Sequence, residues 1–363
     1  MTELSIVPKG ALLIRNGIIQ EVGPSRRVEN LAGARGAREI DATGRVIMPA
    51  FVDADVALVS PAAKPCPVGI RLTSRRKALA RAAAAASECA HYGCLAVGAH
   101  TRCAADLQNI RKVLRVHQAL QGKPMRIRSI FSPQFPPADA LISKWLPAVW
   151  SKKLARIVEL AVDGPDGALD NSMLRAAAVA AQQLGYAIRL RSSRHLEPAG
   201  LKLALEAGAL GIVAPMDTLR SFAEPLAAVG CIRVIPASEG FDDAANAAAA
   251  LRGAIDQGAA VALTSSYRLT GTSSLNMQYL LHLAVHRLGL TPEEAITATT
   301  WNPACSLRMS HVAGSLEPGR SADLLLMEVS DYRELPRRAG HHDISLVMRA
   351  GQILMRSPAL NVD

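Results

Sequence analysis

Aromatic side chains are scarce: Phe, Trp and Tyr make up 4% of the 363 residues, although half the chain is hydrophobic. The core must therefore be built from Ala, Leu, Val and Ile. Basic residues interleaved with rings, as a base-stacking groove requires, are absent. No uncharged apolar run reaches the roughly 18 residues of a membrane span. The opening MTELSIVPKG lacks the charged-then-apolar order of a signal peptide, so a cytoplasmic location is expected. No glycine-rich phosphate fingerprint follows an early strand. The cysteines number six (Cys66, Cys89, Cys94, Cys103, Cys231, Cys305) and are expected to be buried thiols. Cys89, His91, Cys94, His100 and Cys103 crowd into CAHYGCLAVGAHTRC. Their spacing matches no standard zinc knuckle, and the apolar CLAV reads as a strand that would pull them apart.

Charge is present in excess of one sign. The net charge is +10, with short basic clusters at 75–77 and 337–338 and the rest dispersed. This pattern predicts a solvated basic surface, with no nucleic-acid partner and no membrane. The length suits one large α/β domain with an appendage.

The ends of the chain read as strands. ALLIRNGIIQEVG is two apolar runs around Asn16-Gly17, the strongest short hairpin signal. GRVIMPAFVD is a further extended run, and SADLLLMEV and ISLVMRAGQILMR are β-rich. One small β-sandwich built from both termini is predicted, residues 1–48 plus 315–363. Between them, at 49–314, helix and strand patterns alternate. LTSRRKALARAAAAASECAHYG reads as a helix, Ala-rich and stopped at Gly93. Leu107, Ile110, Val113, Leu114 and His117 share one face of the next helix. TPEEAITATTWNPACSL reads as one helix opened by Thr291 as N-cap, Pro292 at N1 and Glu294 at N3. About eight strands alternate with helices, as in a (β/α)8 barrel; an open doubly wound sheet is the alternative.

With these elements placed, the C-terminal third carries a family signature. GSLEPGRSADL followed by DYRELP, together with VDGPDGALDNSMLRAAAVAAQQLGYAIRLRSS, AGALGIV and VALTSSY, resembles the imidazolonepropionases of the amidohydrolase superfamily. The resemblance covers nearly the whole chain and implies a (β/α)8 barrel with a β-sandwich. It also implies a hydrolase of non-peptide carbon–nitrogen bonds in cyclic amides, and one metal held by His-x-His on the first barrel strand, a His on the fifth, a His on the sixth and an Asp on the eighth. At those positions stand Asp55 and Ala57, Arg191, Ala214 and Ser266. Pro133 replaces a His after the third strand, and GAHTRC replaces a Ser-Gly-Tyr after the second.

Without about three protein ligands, a bound water keeps a pKa far above neutrality. No cofactor is therefore expected; the alternative is a single divalent zinc, iron or manganese. Asp55 and Arg191 are expected to form an ion pair in the old metal position. His100, Arg102, Arg191, Arg194 and Arg268 lie at or past strand ends; they are either part of the general basic surface or a cationic mouth for a small anionic ligand. The leading expectation is a pseudoenzyme serving as a binding or scaffolding subunit, with a protein partner and a homodimer implied. A rebuilt hydrolase site for a small cyclic amide or amidine is the alternative. His282 and His286 read as ordinary helix residues, and His341-His342 as an exposed loop. Asp323 reads as a support for the β domain. Ser265, Ser266 and Tyr267 carry a hydroxyl nucleophile without a base that the sequence places.

Overall fold

The computed structural model describes the chain except for residues 1–3, 60–73, 105, 135, 163–170, 193–197, 215–231, 237–243, 268–273, 359 and 361–363. Arg194, Arg268, Cys66 and Cys231 therefore lie outside the described residues.

Eight parallel strands form the central sheet: β4 (Phe51–Val56), β5 (Cys94–His100), β6 (Arg126–Phe131), β7 (Ile157–Ala161), β8 (Ala187–Arg191), β9 (Gly211–Val213), β10 (Ile232–Pro236) and β11 (Val261–Thr264). Neighbours in sequence are neighbours in the sheet, and helices separate them, including Arg75–His91, Leu107–Leu120, Asn171–Leu184 and Ala244–Asp256. The ends of the sheet meet: Ala57 N–H donates to Tyr267 O at 3.2 Å, and Thr264 Oγ1 to Asp55 O at 3.0 Å. The sheet thus curls into a (β/α)8 barrel.

Side-chain parity follows from strand pleating. Leu95, Val97, Val158, Leu160, Ile188, Leu190, Val261 and Leu263 face the helices, in the larger core. Val52, Ala54, Ala96, Ile130, Ile157, Ala187 and Ala262 fill the bore with Ala304, Leu307 and Met309. The alternation places His100, Glu159, Arg189, Arg191 and Thr264 on the bore side as well. Gly98 lets β4 lie close against β5: a Cβ there would stand 2.3 Å from Ala54 O.

The segment predicted as one helix after Thr291 is two. The Thr291–Glu294 capping box opens Pro292–Thr299 as expected, but Thr300 leaves helical geometry and Trp301–Ser306 starts anew. Asn302 Nδ2 donates to Val261 O at 2.7 Å, turning this second helix across the N-terminal end of the barrel. The extended run 44–53 also divides. β3 (Val46–Pro49) pairs with β12 (Leu324–Met327) in an antiparallel sheet ordered β14-β13-β12-β3, with β13 (Ile344–Arg349) and β14 (Gln352–Arg356). β1 (Gly10–Arg15) and β2 (Ile18–Pro24) form the hairpin at Asn16-Gly17. Ile19 packs with Ala322, Leu324, Leu326, Leu346 and Met348 between hairpin and sheet. Gly17, at φ 78°, passes so near the β13–β14 turn that a Cβ would stand 2.5 Å from Ala350 O. Asp323 ties this layer to the barrel through Arg126 at 2.9 Å, and it also accepts from Ser321 and from Ala350 N–H.

Candidate functional site

The C-terminal end of the barrel holds four buried charges in mutual contact. Strand β4 supplies Asp55. Its register slips between Asp53 and Val56, where one extra residue opposes β5. Such a bulge re-aims the side chains that follow it. Glu159 and Arg189 stand in the middle of β7 and β8, and Arg102 comes from the turn after β5.

Arg102 Nε donates to Glu159 Oε1 at 2.6 Å, Nη1 to Asp55 Oδ2 at 2.9 Å, and Nη2 to Asp55 Oδ1 at 2.6 Å and Glu159 Oε2 at 2.8 Å. Arg189 Nε donates to Glu159 Oε2 at 2.7 Å, Nη2 to Asp55 Oδ1 at 2.5 Å, and Nη1 to Ala54 O at 2.8 Å. Two carboxylates and two guanidinium groups cancel in charge. Burial alone would raise the Asp55 carboxyl; Arg102 and then Arg189 outweigh it and hold it below the ordinary carboxylate value. Glu159 is held well below its ordinary value by the same opposition of burial against Arg102 and Arg189. Charge-assisted, bidentate pairs of this kind are the strong class of hydrogen bond.

The expected Asp55–Arg191 pair is corrected. Asp55 is taken by Arg102 and Arg189, while Arg191 Nε lies 3.9 Å from Glu159 Oε1. Arg189 and Arg191 share a face of β8, and the inner of the two reaches across the bore to β4. Arg102, expected to greet a ligand, is instead buried and spent on the two acids. Glu159 and Arg189 escaped the sequence reading. The available signal was a lone acid in the apolar run IVELA and an Arg two residues before Arg191, since a charge inside a buried strand requires a partner.

Around this network stand several polar groups. His100 Nδ1 accepts from Arg102 N–H at 3.3 Å, which puts the proton of the neutral ring on Nε2, a buried atom without a hydrogen-bond partner among the described residues. Burial, then Arg102, pushes the His100 pKa down to about 3. Ser132 Oγ and Ser266 Oγ are also buried without a partner among the described residues, and Ser266 has the left-handed φ of 46°. Ala57 and Pro133 are buried, and Ala214 is half-buried just past β9. At the β4–β11 seam, Asp53 accepts from Thr264 Oγ1, Ser265 Oγ, Ser265 N–H and Asp55 N–H. Burial pushes its pKa up to about 6 against those hydrogen bonds.

Elsewhere, His282 Nδ1 is 2.8 Å from Pro336 O, with its ring against His286. The exposed His342 stacks on His91. His117 is an apolar-face histidine, buried with its pKa lowered to about 3 by burial. Cys89 and Cys94 are buried thiols and Cys305 is half-buried, but Cys103 is disulfide-bonded, which corrects the expectation of six thiols.

These residues do not suit a metal ion. Every oxygen of Asp55 and Glu159 already accepts from a guanidinium, and Arg189 places a permanent cation within 2.5 Å of both. Among the described residues, no group of three or more His, Cys, Asp or Glu converges to hold one.

Residues 177–354 match the Amidohydrolase family. An imidazolonepropionase of Solibacter usitatus is 30% identical over 403 residues, spanning 99% of this chain and 94% of the relative. The chain belongs to the amidohydrolase superfamily. Within the superfamily it is imidazolonepropionase-like; a second imidazolonepropionase, from Symbiobacterium thermophilum, is 26% identical over 98% of this chain and 92% of the relative. The fold of this superfamily member is also that of a 5-methylcytosine deaminase from Klebsiella pneumoniae, with TM-score 0.72 at 16% identity, covering 96% and 95% of the two chains.

Proposed function

We propose that this superfamily member works without a metal, as a binding or scaffolding subunit rather than a hydrolase. The observation that carries the reading is the closed network of Asp55, Glu159, Arg102 and Arg189. A hydrolytic metal needs protein lone pairs and an open position for water. Here the candidate lone pairs face guanidinium groups. The replacement of the family's ligand residues at Asp55, Ala57, Arg191, Ala214 and Ser266 belongs to the same reading.

The mouth above the network is proposed to take a small anion. With the four central charges cancelled, Arg191 adds a positive charge, and His100 offers a neutral Nε2–H donor. Arg268 completes the proposed set. Arg102 supports the floor and does not contact the ligand. Cytoplasmic location, a protein partner, a homodimer, and no nucleic-acid or membrane partner complete the proposal. Among the described residues, no helix is long and apolar enough to cross a membrane.

A second reading is favoured by the full-length similarity to imidazolonepropionases: hydrolysis of a non-peptide C–N bond in a small cyclic amide or amidine at a rebuilt site. Ser266 Oγ, buried on strained backbone, supports it. Metal analysis of the purified chain, paired with an imidazolone-hydrolysis assay, separates the two. The binding-subunit reading expects substoichiometric metal and no turnover. Stoichiometric zinc, iron or manganese with turnover establishes the enzyme.

A further inference from the structure

Arg102 differs from Arg189 in how it arrives. Arg189 is a strand residue that also donates to Ala54 O, so it is part of the barrel wall. Arg102 reaches in from the turn after β5 and makes four hydrogen bonds, one to each of the four oxygens of Asp55 and Glu159. The two carboxylates form the sides of a slot, and a planar cation on a side-chain stem fills it. Take the stem away and two buried acids face one remaining guanidinium, an uncompensated negative charge that is costly to leave in place.

We propose that Asp55 and Glu159 form a binding site for a planar, guanidinium-type monocation, and that Arg102 is its tethered occupant. A chain lacking that side chain then takes up free guanidinium from solution. The forked N–H geometry that matches two carboxylates is a property of the guanidinium plane rather than of the arginine stem. A divalent ion is disfavoured because Arg189 keeps its own positive charge 2.5 Å from both acids. The inference goes beyond the metal-free reading and is judged separately: metal content of the wild-type chain tests that reading, whereas a variant's response to a cation tests this one.

The experiment is thermal melting of the full-length Arg102→Ala variant with low-millimolar guanidinium or ethylguanidinium chloride, with sodium and tetramethylammonium chloride as ionic controls. The variant is expected to melt below wild type. The guanidinium salts are expected to restore about half of the lost melting temperature, saturably, while the controls restore none and the wild type does not respond. Guanidinium acting no better than sodium overturns the proposal. So does stabilisation of the variant by zinc or manganese ions where guanidinium fails. If Arg102→Ala does not fold, Arg102→Met is compared with Arg102→Met plus Glu159→Gln. The paired change is expected to be the more stable, because it removes one charge of each sign; a double variant no more stable than the single one overturns the proposal.

Discussion

Asp53 and Asp55 stand two residues apart on one strand, both wholly buried, and they meet opposite fates. Asp55 is clasped by two guanidinium groups, which hold its carboxyl below the ordinary carboxylate value. Asp53 has hydroxyl and amide donors, yet its pKa is pushed up to about 6. Four neutral donors do not offset desolvation, and two permanent cations do. The kind of partner, rather than the number of hydrogen bonds, decides whether a buried carboxylate holds its charge.

The largest test of this contrast is Arg189→Met. It leaves two acids with Arg102 alone and is expected to cost roughly 3–5 kcal/mol of unfolding free energy in denaturant titrations. A loss below about 1 kcal/mol would break the comparison, because the cations would then not be what holds Asp55 and Glu159.

Next comes pH. The folded pKa of Asp53, about 6, lies above its unfolded value of 3.8, so between them the folded chain binds the extra proton. Its stabilising contribution is complete below the unfolded value and is lost as pH rises through about 6, a swing of roughly 3 kcal/mol. Asp55 and Glu159 act with the opposite sign. Their folded pKa values lie below the unfolded 3.8 and 4.5, so their contribution is present above those values and lost as pH falls through the folded ones. Asp53→Asn should flatten the stability curve between pH 4 and 6 and leave the acid limb intact; an unchanged slope there would show that Asp53 ionises like an ordinary carboxylate.

The smallest effect sharpens the comparison from a neutral neighbour. His100 touches the same network, and with its pKa near 3 its ring should show no titration between pH 5 and 8 in NMR shifts. A midpoint near 6.5 would mean that the centre is wetter than its geometry requires.

Much of the frame was legible from periodicity and turn chemistry. Asn16-Gly17 marked the hairpin, Thr291 and Glu294 marked the capping box, and the alternating middle marked the barrel. The expectation that Asp55 pairs with an arginine was sound in kind and wrong in partner. Sequence spacing sets which way a side chain leaves its strand. It does not say how far a long side chain crosses the bore, so Arg189 was passed over for Arg191. The bulge before Val56, which sets the aim of Asp55, carries no glycine or proline to announce it. Arg102 was placed correctly at a strand end, but its target, Glu159, sits on a strand whose sequence reads as plain core.

The Arg189 side chain has a mechanical consequence. β4 and β8 are the first and fifth staves of an eight-stave cylinder, on opposite sides of its axis, and the bonds to Ala54 O and Asp55 brace one against the other. Only a long side chain can span such a diameter. With a strut through the middle, this one resists being squeezed oval, and its early and late strands must come apart together when it opens.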